Sequence, residues 1–146
     1  ARNVCQMLGA NSTEFDKDSP FPVIDLMSDQ VADGDKGGTM RLGAYACELG
    51  ADTLALDIYG CAQISERHRH RYEVNNAFRS YLKEHGLVLS GLSPDGLLVE
   101  LVELPSHPWF LAGQFHPEFK SSPRVPHPLF HAFITAALKA KGELFS

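Results

Sequence analysis

The apolar positions of this chain fall in short runs whose period switches between two and about four, with Gly, Pro and Asp standing between the runs. Over residues 39–48, Met40, Leu42, Ala44 and Ala46 alternate with polar or small neighbours, the period of two that a half-buried strand requires. Residues 63–72 alternate in the same way with charged side chains, and residues 23–27 form a shorter candidate strand. Residues 87–91 and 97–104 read as two strands joined by the turn Ser93-Pro94-Asp95-Gly96. Residues 109–115 are an apolar run of buried-strand length that ends at a His-Pro step. Helices are expected over residues 53–59, over 77–85 with Gly86 as terminator, and over the amphipathic stretch 129–141. Residues 2–8, closed by Gly9, read as the end of a further helix. A polar loop over residues 16–22 carries Pro20 and Pro22, and the Gly- and Asp-rich segment 31–38 is turn-forming and expected to be mobile. Strands interleaved with helices predict an α/β sandwich.

Composition narrows the class without changing this picture. Hydrophobic residues at 44% and charged residues at 21% are ordinary for a globular chain, which excludes disorder, collagen and coiled coil. A chain of 146 residues buries about two thirds of its unfolded surface, so one domain or a piece of one is expected, with no disulfide or metal staple required. The net charge of −5 argues against whole-surface attraction to nucleic acid or anionic membrane. The longest apolar stretches fall well short of the about 20 residues a membrane span needs. Cys5, Cys47 and Cys61 stand at wide, unmatched spacings with no C-x-x-C pair, and are expected to be reduced thiols of an intracellular, cytoplasmic protein.

Three segments carry candidate chemistry. In Gln114-Phe115-His116-Pro117-Glu118-Phe119, a His and a carboxylate lie two apart at the end of an apolar strand, with Pro between them to stiffen the loop. That spacing places the carboxylate beside one imidazole nitrogen and leaves the other free to take or give a proton, the base-and-orienter half of a nucleophilic triad. In Ser65-Glu66-Arg67-His68-Arg69-His70-Arg71-Tyr72-Glu73, strand alternation puts Arg67, Arg69 and Arg71 on one face and His68 and His70 on the other. Such a row can grip a carboxylate or phosphate, or can simply be the solvated face of an edge strand. Its shortness, the flanking Glu66 and Glu73 and the lack of an aromatic platform argue against nucleic acid. Asn11-Ser12-Thr13-Glu14-Phe15 resembles a helix cap but is followed by Asp16-Lys17-Asp18-Ser19-Pro20 rather than by an apolar run. Glu14 is thus a loop carboxylate able to hold an amino group.

The segments NSTEF, GGTMRLG, ERHRHRYEVNN, HPWF and QFHPEFKSSP, in this order, resemble the C-terminal glutaminase domain of the CTP synthases, a branch of the class I glutamine amidotransferases. The similarity runs over nearly the whole chain. FHPE is shared by many enzymes of the class, whereas GGTMRLG and RHRHRYEVN are more particular to the CTP synthases. The resemblance implies a flavodoxin-like three-layer α/β sandwich with a central, mostly parallel sheet. It also implies a Cys-His-Glu triad that hydrolyses L-glutamine through a thioester and passes ammonia down a tunnel to a synthase domain. There UTP, phosphorylated by ATP with Mg²⁺, is aminated to CTP, with GTP as allosteric activator and a homotetramer built by the synthase domain. Under the resemblance His116 matches the general base and acid and Glu118 the carboxylate that orients it. Glu14 matches the acid that binds the glutamine α-amino group, and Arg71 the arginine that binds its α-carboxylate.

The resemblance also implies a nucleophilic Cys on a strained strand-to-helix turn within a G-x-C-x-G-x-Q type elbow, which these residues do not contain. Cys5, followed by Gln6-Met7-Leu8-Gly9, has no Gly two before or two after it, and is expected to be a packing thiol in the helix after the elbow. Residues 1–146 are accordingly expected to be the C-terminal portion of a glutaminase domain, with the rest of that domain and the synthase domain outside them, and to be inactive alone. The alternatives are another class I amidotransferase or a γ-glutamyl hydrolase, against which RHRHRYEVN argues, and a non-catalytic glutamine- or anion-binding module.

Overall fold

The structure, a computed structural model, describes residues 1–26 and 40–142. The turn-forming segment 31–38 lies outside the described residues. A small sheet in the order β1-β2-β5 is built from β1 (Ala10–Ser12), β2 (Phe21–Asp25) and β5 (Glu73–Val74), with β1 and β2 parallel and β5 antiparallel to β2. A larger sheet in the order β4-β3-β6-β7-β8 comprises β3 (Arg41–Leu49), β4 (Gln63–His70), β6 (Val88–Leu92), β7 (Val99–Glu103) and β8 (Leu111–Gly113). Helices α1 (Leu54–Tyr59), α2 (Arg79–Glu84) and α3 (Pro128–Lys141) complete the set, with short 3-10 turns at Asn76–Phe78 and Pro117–Lys120.

The mixed α/β architecture follows the sequence pattern, but parallel pairing among the described strands is confined to β1 and β2. The larger sheet is antiparallel throughout, and β6, β7 and β8 follow one another through connections too short for a crossover. Residues 2–8 are not helical. Cys5 and Met7 are both buried while Gln6 between them is exposed and takes φ 57°, and burying alternate residues on one side is incompatible with a helix. The strand expected over residues 109–115 shrinks to β8, which is half-exposed because it is the edge of its sheet and pairs with β7 alone.

The helices obey the signals in their sequence. Thr53 caps α1 by accepting the Leu56 N–H at 3.2 Å, and the buried Glu103 carboxylate accepts the free Leu54 and Ala55 amides at 3.0 and 2.7 Å. Pro128 opens α3 behind the His127 cap, and Gly142 ends it in the left-handed region that glycine favours. Packing divides into two clusters. The larger joins Cys47, Leu49 and Ile64 of β3 and β4 to Leu101, Phe115, Ala55 and Leu129, so that α1 and α3 cover the five-stranded sheet. The smaller joins Cys5, Met7 and Ala10 to Leu82 of α2, beside the three-stranded sheet.

Candidate active site

Strand β4 is the element on which the candidate residues assemble. Its burial alternates strictly: Ile64, Glu66 and His68 are buried while Ser65, Arg67 and Arg69 face solvent. Since β4 is an outer strand, one edge of its backbone is free of the ladder with β3. The chain leaving β8 closes on that edge. Gln114 is tied to β7 by its amide on the Glu100 carbonyl at 3.0 Å and by its side chain on the Val99 carbonyl at 2.7 Å, and Phe115 is buried in the larger cluster. The His116 amide then donates to the Arg67 carbonyl at 2.8 Å.

Pro117 starts a 3-10 turn that brings Glu118 back toward the residue before the turn. His116 Nδ1 lies 2.7 Å from Glu118 Oε1. An ionised carboxylate only accepts, so in the neutral ring Nδ1 carries the proton and Nε2 the lone pair. Hydrogen bonds from the backbone of Glu118 itself and from His116 hold the Glu118 carboxyl below the usual carboxylate range. Phe119 stacks on the imidazole with ring centroids 4.9 Å apart. The pair is open to solvent, with the His116 side chain 38% exposed.

Glu14 and Arg71 stand far apart in the sequence and line one cleft of about 770 Å³. Glu14 sits on the turn after β1, its amide on Ser12 Oγ at 3.2 Å, and Arg71 sits on the bend just past β4. Both are exposed, and Arg69, His70, Tyr72 and Phe15 complete this side of the cleft. A carboxylate and a guanidinium facing one space suit a zwitterion with one group of each sign. The cleft begins at Arg69 and the His116 attachment is at Arg67, two strand residues or about 7 Å apart along β4. Arg71 and the His116–Glu118 pair therefore take β4 as their frame, and Glu14 faces the same cleft from the turn after β1.

None of the three thiols is hydrogen-bonded to His116 among the described residues. Cys5 is buried in the smaller cluster, where its carbonyl accepts the Tyr81 hydroxyl at 3.2 Å. Burial, with lesser contributions from Glu100 and Glu66, pushes the Cys47 thiol up to about 12, which makes it inert at neutral pH. Cys61 is exposed and directs its thiol to the Gln63 carbonyl. No three His, Cys, Asp or Glu side chains are arranged to hold a metal ion among the described residues. No described helix is long and apolar enough to cross a membrane.

A buried charged cluster escaped the reading of the sequence. Arg41 Nη2 bonds Glu100 Oε1 at 2.6 Å and Nη1 reaches Glu100 Oε2 at 3.1 Å and Glu73 Oε1 at 3.3 Å, all three residues being buried. His68 Nδ1 lies 2.8 Å from His70 Nε2, and His70 Nδ1 lies 3.1 Å from the Tyr72 carbonyl. A carbonyl only accepts, so the proton of neutral His70 is on Nδ1 and that of His68 is on Nδ1 as well. Burial, followed by the Arg41 charge, lowers both imidazoles, His68 to about 3. Alternation did place His68 and His70 opposite the arginines; His70 meets the nearby Glu73 at 3.5 Å, whereas the carboxylate facing His68 is Glu100 of β7 at 3.7 Å, which no local pattern identifies.

The family model "Glutamine amidotransferase class-I" matches residues 5–136. A protein of Pelotomaculum thermopropionicum named CTP synthase is 60% identical over 146 residues, covering 100% of this chain and 27% of that protein. A CTP synthase of Rubrobacter xylanophilus is 59% identical over 143 residues, covering 98% of this chain and 26% of that protein. The chain thus spans about a quarter of the length of the curated relatives it matches. Among solved structures, the glutaminase domain of Trypanosoma brucei CTPS with bound acivicin superposes with a TM-score of 0.87 at 40% identity. That match covers 94% of this chain and 54% of the other.

Proposed function

This chain belongs to the class I glutamine amidotransferases, and from that premise we propose that it hydrolyses L-glutamine as the C-terminal part of a CTP synthase glutaminase domain. In this reading His116 is the general base and acid, Glu118 its orienting carboxylate, Glu14 the partner of the substrate α-amino group and Arg71 that of its α-carboxylate. The observation that carries it is the cleft that Glu14 and Arg71 line, beside the strand that holds His116.

The chemistry follows from the tautomer. With Nδ1 held by Glu118, His116 Nε2 takes the proton of a cysteine thiol supplied by the part of the domain outside these residues. The thiolate attacks the γ-carbonyl carbon of glutamine, and the C–N bond breaks as Nε2 returns the proton to the departing nitrogen, releasing ammonia and leaving a thioester. Water then loses a proton to Nε2 as it attacks the thioester, and glutamate leaves as the thiol is restored. In the complete polypeptide the ammonia aminates UTP, which ATP with Mg²⁺ activates in the synthase domain, with GTP as activator, a homotetramer as the assembly and the cytoplasm as the place.

The test uses the complete polypeptide with two nitrogen donors. Arg71→Ala is expected to weaken glutamine use and to spare CTP formation from added ammonia. Equal loss with both donors would overturn the assignment of Arg71. The 146 residues alone are expected to release no ammonia from glutamine. Release that survives Cys5→Ser but disappears in His116→Ala would contradict that expectation.

A further inference from the structure

Glu66 is 0% exposed in β4, immediately before the residue whose carbonyl holds His116. Its Oε1 accepts from Tyr59 Oη at 3.1 Å, from His127 Nε2 at 3.0 Å and from Lys120 Nζ at 3.4 Å, so one carboxylate ties together α1, the cap of α3 and the 3-10 turn at Pro117–Lys120. His127 Nδ1 accepts the Leu129 amide, which places its ring proton on Nε2, toward Glu66. Tyr59 and His127 therefore donate as neutral groups. Burial, and then the Glu66 charge beside it, raises the Tyr59 phenol, which keeps it a donor. Lys120 supplies the positive charge. A carboxylate buried without a cation is costly, so the lysine is held to this spot although its own side chain is 43% exposed.

Lys120 Nζ also donates to the Ser65 carbonyl at 2.5 Å. Ser65 and Arg67 are two residues apart, so their carbonyls point to the same free edge of β4. The segment from His116 to Lys120 is thus fastened at both ends to one strand edge, by the His116 amide on Arg67 and by the Lys120 ammonium on Ser65 and Glu66. Glu118 and Phe119, which bond and stack on the imidazole, lie between the two fastenings.

We propose that Lys120, seated on buried Glu66, is a positioning residue for glutamine hydrolysis. It holds the 3-10 turn closed so that Glu118 stays on Nδ1 of His116 and Nε2 keeps its aim. This rests on the reading of His116 as the proton-transfer residue. The role acts through His116 and does not touch the Glu14–Arg71 cleft, so it affects turnover and leaves substrate affinity alone. A misplacement near 1 Å at a reacting group costs on the order of 10²-fold in rate, and a loosened turn a part of that.

The experiment measures kcat and KM for glutamine in the complete polypeptide. Lys120→Met is expected to lower kcat about tenfold with KM within about twofold, and to leave ammonia-dependent CTP formation unchanged. Lys120→Arg is expected to keep kcat near the parent value, because a guanidinium reaches the same acceptors. The double variant Glu66→Gln with Lys120→Met leaves no buried charge unpaired, so it retains the fold, and it is expected to show the same loss of kcat. Parent kcat in both Met-bearing variants, or a loss in the Arg variant equal to that in the Met variant, would overturn the proposal. His116→Ala separates this from failure of the underlying reading. If that variant still hydrolyses glutamine, the proton-transfer role itself falls; if it is inactive while both Met-bearing variants turn over normally, the positioning role alone falls.

Discussion

His116 and Glu118 face each other at 2.7 Å across a single proline, an arrangement that fixes which imidazole nitrogen carries the proton. The pairing spans only two residues, so it depends on the 3-10 turn and not on a distant element. Glu118→Ala removes the acceptor while leaving the His116 amide on Arg67, so the ring loses its tautomer preference and not its place. We expect glutamine turnover in the complete polypeptide to fall by roughly 10²-fold or more, with KM far less affected. Steady-state kinetics with glutamine check this, and a Glu118→Ala enzyme with unchanged kcat would count against the orienting role.

The Arg41 cluster predicts a pH dependence of stability with two opposing parts. Two buried carboxylates share one guanidinium, so a proton on Glu73 brings the Arg41–Glu100–Glu73 group to neutrality. Burial, offset in part by Arg41 and reinforced by Glu100, pushes Glu73 up from 4.5 to about 7. A carboxyl raised on folding binds more protons folded than unfolded between these values, so its contribution declines as pH rises from 4.5 to about 7. That shift corresponds to about 3 kcal/mol at roughly 1.4 kcal/mol per unit. His68 works in the other direction: lowered from 6.5 to about 3, its contribution is complete above 6.5 and is lost as pH falls toward 3. Urea midpoints measured from pH 3 to 8 should show Glu73→Gln abolishing the decline toward neutrality and His68→Gln flattening the acid limb. Slopes identical to the parent in both variants would exclude this cluster as the source.

Gly91 predicts a steric cost in the larger core. A methyl group there would lie 2.8 Å from Cys47 Sγ and 3.0 Å from Leu101 Cβ, both belonging to fully buried side chains that have nowhere to move. Gly91→Ala should destabilise the fold by about 1–3 kcal/mol, and Cys47→Ala in the same chain should recover part of the loss by removing the closest atom. Thermal melts of the single and double variants report both effects. A neutral single variant would mean that β6 shifts freely against β7.

The carboxylate at the start of α1 predicts a second effect on stability. Glu103 accepts two amides of the helix, and a six-residue helix has little else to hold its first turn. Glu103→Ala should cost about 1–3 kcal/mol because it leaves buried donors unpaired. Glu103→Gln should cost less, since its amide oxygen can still accept. Equal losses in the two variants would show that the charge and not the hydrogen bonds matters.

Much of this protein is written locally in its sequence, and the parts that are not have a common cause. The alternation over residues 63–72 predicted which face of β4 carries Arg67 and Arg69, and that strand is an edge with those side chains in solvent. His116-Pro117-Glu118 predicted its own pairing, because two residues and a rigid ring leave little conformational freedom. The stop at Gly86 was equally legible, since that glycine follows α2 in the left-handed region. The helix expected over residues 2–8 failed because the demand to bury both Cys5 and Met7 came from α2 and the small sheet and overrode the local tendency. Tertiary structure alone decided that Arg41 is shared by Glu73 and Glu100 and that Lys120 seats on Glu66, and it sets Glu14 and Arg71 along one cleft. Each of these joins residues tens of positions apart through strand order and register. A hydrophobic period specifies which face of a strand is buried, but not which other strand supplies the charge it will meet.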